Sequence, residues 1–426
     1  LKILKEWKYL LKYPISIKSQ EMKLIGRDNE EPFAIGKGIF EVIDPQTFKY
    51  TLRGYFPNEL SSLRRLQEAH FNPYDELARF RLILTDESGR EFNAGWTIPD
   101  ITQINSEGWM CEGKSDGLLI AIRNTNPITF SSTEVIYLLS KNSLSYKLFS
   151  KYCTPSYCVE ILGSNIEFEF ESDTGLLSVR ATASPDFPLT YTENWLGEPL
   201  RIMMGDLIYP RLVARNFSDG KSFIWLRRVS SLSNLSPWIA LWRCENKLKD
   251  KEDFWEMLSM ILKYIATSRD KNDQRYFESN NLTRYYEELI QAGIGSRWVW
   301  ALTLASTVEA LVLEFYPRGI KDNSADIHAI SSLSNHIKNW NGNNDLKSAA
   351  ISAVKRKEQI PVSKALSIMR DKGEVCHEGV AAWNSIRNTV MHGSLISLYS
   401  DQDEDMKITH LANLVHALTK KLISLP

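Results

Sequence analysis

Ile166-Glu167-Phe168-Glu169-Phe170-Glu171 alternates apolar and acidic side chains without a break. A period of two puts every second residue on one face, the pattern of a strand with one side buried and one side wet. Asp173-Thr174-Gly175 then supplies turn chemistry, and Leu177, Val179 and Ala181 resume the same period, so the stretch predicts a β-hairpin. Working outward, Phe80, Leu82 and Leu84 alternate with Arg79, Arg81 and Ile83 before Asp86-Glu87-Ser88-Gly89, which leads into Glu91 and Phe92 as a second hairpin. Short apolar runs at Ile39 to Ile43, Phe48 to Leu52, Leu118 to Ile122 and Phe223 to Leu226 are separated by Pro, Gly, Asn and Ser. Together they predict antiparallel sheets through about Asn246, arranged as a sandwich or a distorted barrel.

From about Lys247 the period changes. Phe254, Leu258, Ile261 and Ile265 fall at helical spacing, and no proline follows until Pro317. Trp298 to Tyr316 is apolar nearly all round and is expected to be buried. Shorter helices are expected over 326–340, 345–356, 362–371 and 380–391. A closing helix over 405–425 carries the stripe Ile408, Leu411, Val415, Leu418 and Leu422. The expected class is therefore α+β with two domains: an antiparallel, sandwich-like β-rich region over 1–246, a helical connector over 247–294 and an all-α bundle over 295–426.

Bulk properties set limits on function. A chain of 426 residues exceeds what one core usually fills. Its 51 Lys and Arg against 52 Asp and Glu leave a net charge of -1, so a polyanion would have to meet a local basic patch. Five scattered cysteines do not make a disulfide framework and suit a reducing compartment, for which the cytoplasm is expected. Cys153 and Cys158 lack a second ligand pair at zinc spacing, and no metal or other cofactor is expected. No apolar run is expected to reach the length of a membrane span. Leu1 in place of methionine suggests that native residues precede it.

The stretch with chemistry in it is Trp383-Asn384-Ser385-Ile386-Arg387-Asn388-Thr389-Val390-Met391-His392-Gly393. Arg387 and His392 stand five apart, about 140° round an ideal helix, so a straight interior helix would not bring them together. Gly393 is a helix stop signal, and it places His392 in a last turn from which the imidazole can swing toward Arg387. Such a pair suits RNA cleavage in which the 2′-hydroxyl attacks its own phosphate. His392 can move the proton, Arg387 can hold two phosphate oxygens, and Asn388 can orient either group. One histidine cannot be base and acid at once, so two copies about a two-fold axis would complete the site.

Arg387-Asn388-Thr389-Val390-Met391-His392 resembles the R-[NHD]-x-x-x-H signature of the HEPN superfamily, whose helical bundles include metal-independent endoribonucleases of prokaryotic defence. Gly393, Trp383, Ile386 and the helix carrying Val308-Glu309-Ala310-Leu311 fit the same pattern, which covers roughly residues 295–425. A β-rich region of over 200 residues ahead of such a bundle is similar to the ApeA-like anti-phage proteins that act by abortive infection. The resemblance implies RNA as substrate, with tRNA among the candidates, and 2′,3′-cyclic phosphate ends. It further implies a composite site across a homodimer and toxicity restrained until infection; the need to keep a nuclease silent in its own cell leads us to expect that the β-rich region senses a phage-derived trigger or autoinhibits the bundle.

The competing reading is a non-catalytic HEPN-type module for interaction or ligand sensing, with a capping histidine and a surface arginine in place of a site. Glu309, on an otherwise apolar face, needs a cation or backbone donors and is expected to brace Arg387 or the catalytic helix, the alternative being a structural pairing elsewhere, for instance with Arg297. Lys355-Arg356-Lys357, with Lys364, Arg370 and Lys372, is the clearest basic stretch and a candidate RNA contact. Cys376-His377-Glu378 reads as a loop into the next helix, and His336 as a polar-face histidine or a second proton shuttle. Trp96, Trp109, Trp195, Trp225, Trp238 and Trp242 in the β-rich half are expected mostly to fill a core. Lectin-like binding there is a third possibility.

Overall fold

A computed structural model describes residues 2–27, 31–75, 78–103, 108–123, 130–229, 237–244, 250–317, 327–391, 396, 399 and 401–424. Among these, fourteen strands make one antiparallel sheet: β1 Ile15–Gly26, β2 Pro32–Asp44, β3 Thr47–Tyr55, β4 Phe80–Asp86, β5 Glu91–Thr97, β6 Asp100–Gln103, β7 Trp109–Lys114, β8 Gly117–Arg123, β9 Ser132–Leu138, β10 Ser156–Ile161, β11 Ser164–Glu171, β12 Leu176–Thr182, β13 Leu212–Asn216 and β14 Lys221–Arg227. Their order is β10-β11-β12-β9-β13-β14-β8-β5-β4-β1-β2-β3-β7-β6. The strands thus hydrogen-bond as one continuous antiparallel sheet, the β-rich region that the sequence suggested. Alternation reports which face of a strand is buried, and it cannot report whether sheet edges join.

Both hairpins form. Ile166 pairs with Ala181 and Phe168 with Val179, and Ile166 and Phe168 are fully buried. Phe80, Leu82 and Leu84 are buried in β4. Asp86 Oδ1 closes the β4–β5 turn by accepting 2.9 Å bonds from the backbone of Ser88 and Arg90, with Gly89 at φ 81°, a conformation that favours glycine. On the outward face of β11, Glu167 and Glu169 take Lys2 Nζ at 2.7 and 2.8 Å, and Glu171 takes Lys8. The wet face of the alternation therefore binds the short helices at the start of the chain, α1 (Leu4–Trp7) and the 3-10 turn Lys8–Leu11.

The remaining helices are α2 Glu59–Phe71, α3 Leu144–Tyr152, α4 Leu189–Trp195, α5 Glu198–Met204, α6 Lys251–Thr267, α7 Asn281–Ala292, α8 Arg297–Phe315, α9 Ile327–Asn339, α10 Asn344–Lys355, α11 Val362–Asp371, α12 His377–Met391 and α13 Gln402–Ile423. The chain divides into two compact units: Leu1–Arg201 with Asp206–Leu235 and Lys249–Asn280, and Ile202–Gly205 with Ser236–Leu248 and Asn281–Pro426. Helix α6, which fell within the expected connector, belongs by its contacts to the sheet unit. Its Asp250–Asp253 capping box starts it, and Trp255, 1% exposed, stacks on Tyr157 of β10 at 4.0 Å. Trp195 is likewise buried and Trp242 nearly so, whereas Trp238 is exposed and Trp225 partly so, so the tryptophans only partly fill cores.

In the second unit α8 packs against α7, α11, α12 and α13. Its buried stripe includes Ala301, Leu304, Val308, Leu311 and Val312. Helix α13 buries Ile408, Leu411, Val415, Leu418 and Leu422, the stripe read from the sequence. One expectation is corrected here. Among the described residues α8, 19 residues long, is long and apolar enough by length and composition to cross a membrane. Its polar side chains, Thr303, Ser306, Thr307 and Glu309 among them, are too few to take the helix out of that class.

Candidate functional site

Helix α12 begins on a thiol. Cys376 Sγ accepts a hydrogen bond from the Gly379 backbone at 3.4 Å, so this cysteine fills a capping position. Val380, Ala382, Trp383 and Ile386 are buried at three- and four-residue spacing and fix which face of α12 meets the bundle. Trp383 Nε1 donates to the Ala305 carbonyl at 3.1 Å, crossing from α12 to α8. One turn further along both helices, Arg387 Nε donates to Glu309 Oε1 at 2.6 Å. Both bonds link residues 78 apart, so α8 and α12 run in the same direction where they touch.

The Glu309–Arg387 pair is half-exposed, with side chains 39% and 40% accessible. That differs from the expectation of a buried acid. Glu309 sits at the margin of the apolar face, and a pair so placed contributes at most about 1 kcal/mol to stability. The Arg387 guanidinium also lies 5.4 Å from the centre of the Trp383 ring, so it is held at Nε and along one side. Arg297, the alternative partner of Glu309, pairs instead with Asp405, with Glu404 at 3.8 Å.

Asn388 is exposed on the last turn of α12, where Thr389 Oγ1 bonds back to the Ser385 carbonyl at 2.9 Å. His392 and Gly393 lie outside the described residues, so the pairing of Arg387 with His392 has no geometry here. Lys355 ends α10, and Arg356 and Lys357 form the 3-10 turn that follows; all three are exposed. The helices that pack chiefly on α12 are α8, α11 and α13, while α10 packs on α9 and on this turn. The basic triplet is therefore not gathered to Arg387 by the principal packing, although the sequence places it nearby. His336 is exposed on α9 and likewise belongs to that hairpin.

The chain matches no protein-family model, no curated protein and no solved structure.

One feature escaped the sequence reading. His377 and His410 line a common groove of about 440 Å³ between α12 and α13, with Glu378, Asp403, Met406 and Lys407 around it. His377 and His410 lie on different helices, so only the packing of α12 on α13 brings them to one surface. Among the described residues no group of three or more His, Cys, Asp or Glu side chains is placed to hold a metal ion.

Proposed function

We propose that the helical unit is a HEPN-type endoribonuclease that cuts RNA by attack of the substrate's own 2′-hydroxyl. The observation that carries the reading is the Glu309–Arg387 bond. A guanidinium has five N–H groups in a rigid fork, and Glu309 engages the one on Nε. The edge formed by the two terminal nitrogens remains to take two non-bridging phosphate oxygens and to stabilise the charge that grows on them in the transition state.

The reaction needs no external nucleophile. The 2′-oxygen bonds to phosphorus, its proton passes to a base, and the P–O5′ bond breaks as the leaving oxygen gains a proton. The products are a 2′,3′-cyclic phosphate and a 5′-hydroxyl. His392 is the proton carrier, because imidazole titrates near neutrality. Asn388, next to Arg387 and exposed, orients phosphate or imidazole. Because one imidazole serves one transfer at a time, a second copy of the bundle supplies the other, and the working form is a homodimer. Under this reading the protein acts in the cytoplasm in anti-phage defence by abortive infection, and the β-rich unit senses a phage-derived trigger. RNA, including tRNA, is the partner.

A non-catalytic module is favoured by one property of the same pair, since an ion pair between two helices is also what a purely structural tie looks like. Expression in a bacterial host separates the two. Growth arrest with RNA breakdown by the wild type, relieved in Arg387→Ala and in His392→Ala at equal protein levels, supports the nuclease. Arrest that persists in both variants contradicts it.

A further inference from the structure

The sheet unit holds a cleft of about 660 Å³ over strands β3, β5 and β7, within the range of roughly 300–1,000 Å³ typical of small-molecule sites. Its floor is a pair of buried hydroxyls. Tyr50 Oη on β3 and Thr97 Oγ1 at the end of β5 lie 3.1 Å apart, although three strands separate β3 from β5 in the sheet order. The sheet therefore curls until these strands meet. Two hydroxyls that share one hydrogen bond leave one proton unused, so the floor offers a donor as well as lone pairs to whatever enters.

Gly113 on β7 keeps that floor open. A Cβ at this position would lie 2.8 Å from Tyr50 Oη and 3.0 Å from Thr97 Oγ1, so any other residue would collide with the hydroxyls and cover them. Trp96 forms a wall, and an Arg27 guanidinium 5.8 Å from its ring centre steadies it. The rim carries four carboxylates, including Asp100 and Glu112, and three cations, including Lys49 and Arg79. These charges nearly balance, which favours neither a polyanion nor a polycation.

We propose that this cleft binds a neutral saccharide. A sugar ring presents an apolar C–H face suited to Trp96, and hydroxyls that donate to carboxylates and accept from Lys, Arg and the Tyr50–Thr97 pair. The site stands independently of the nuclease reading, since it lies wholly in the other unit.

Saturation-transfer NMR on the full chain tests it with glucose, galactose, mannose, N-acetylglucosamine, cellobiose and maltotriose, and with AMP and a Gly-Asp-Lys peptide as charged controls. The expected result is transfer to at least one saccharide, weakened tenfold or more in Trp96→Ala and in Glu112→Gln. Glu112 is exposed, so the second variant reads binding even where the first disturbs folding. Silence from all six saccharides, stronger binding of AMP or the peptide than of every sugar, or unchanged binding in both variants overturns the proposal.

Discussion

Glu309 Oε1 accepts a 2.6 Å hydrogen bond from Arg387 Nε, one helical turn beyond the bond from Trp383 Nε1 to the Ala305 carbonyl. The two bonds act as successive rungs between α8 and α12, and they differ in burial: Trp383 is 2% exposed, whereas the ion pair reaches solvent. The first rung therefore holds the helices together and the second aims a cation outward.

Removing Glu309 should separate these roles. In Glu309→Ala the loss of a pair about 40% accessible on both sides costs less than about 1 kcal/mol. A guanidinium released from its aim lowers the cleavage rate by roughly ten- to a hundredfold. RNA affinity stays near wild type, and Glu309→Gln, whose amide oxygen still accepts from Nε, recovers part of the rate. Parallel melts, binding titrations and cleavage time courses check this. A lost melt with unchanged turnover in the remaining folded protein would make Glu309 structural only.

Trp383 should behave in the opposite way. Trp383→Ala removes a buried ring and is expected to cost about 3–5 kcal/mol, while Trp383→Phe keeps a ring, loses the bond to Ala305 and costs about 1–2 kcal/mol. Denaturant titration of the helical transition measures both.

The sheet unit carries its own pH dependence. Burial pushes the Asp206 carboxyl up from 3.8 to about 6, against hydrogen bonds from Ser145 that lower it. The folded protein thus holds this proton more tightly than the unfolded chain. The stabilisation is fully present below about pH 4 and is lost as pH rises through about 6. The displacement corresponds to a penalty on the order of 3 kcal/mol for the ionised form at neutral pH. Stability of wild type relative to Asp206→Asn should fall between pH 4 and 6 and level off above. A difference independent of pH would contradict the assignment.

If Lys355, Arg356 and Lys357 meet RNA, changing all three to Ala weakens binding with little sequence preference. For single-stranded RNA the slope of log K against log salt becomes shallower by about 2, from roughly 0.7 per lost phosphate contact. Because α10 packs on α9 and not chiefly on α12, the rate at saturating RNA should be unchanged.

The two hairpins and the change of period near residue 247 were legible because they are local: Ile166, Phe168 and Phe170 state their own alternation. The order of the sheet was not, since β9 lies between β12 and β13, and β8 between β14 and β5, through pairings that no local pattern encodes. Helix α6 showed its period but not its neighbour, which depends on Trp255 finding Tyr157 almost a hundred residues earlier. For the site, an acid among apolar neighbours signalled that Glu309 needs a cation or backbone donors; Arg387 is the cation it meets, at a more exposed place than that signal implied. The shared groove of His377 and His410 left no mark in either helix taken alone.

The most direct test of the central claim is to incubate the purified full chain, Arg387→Ala and His392→Ala with total bacterial RNA in EDTA and to map the new ends. Wild-type cuts with 2′,3′-cyclic phosphates, absent from both variants while they remain folded, are the predicted result. Equal cleavage by wild type and both variants, or wild-type cuts bearing 3′-hydroxyls, would contradict it.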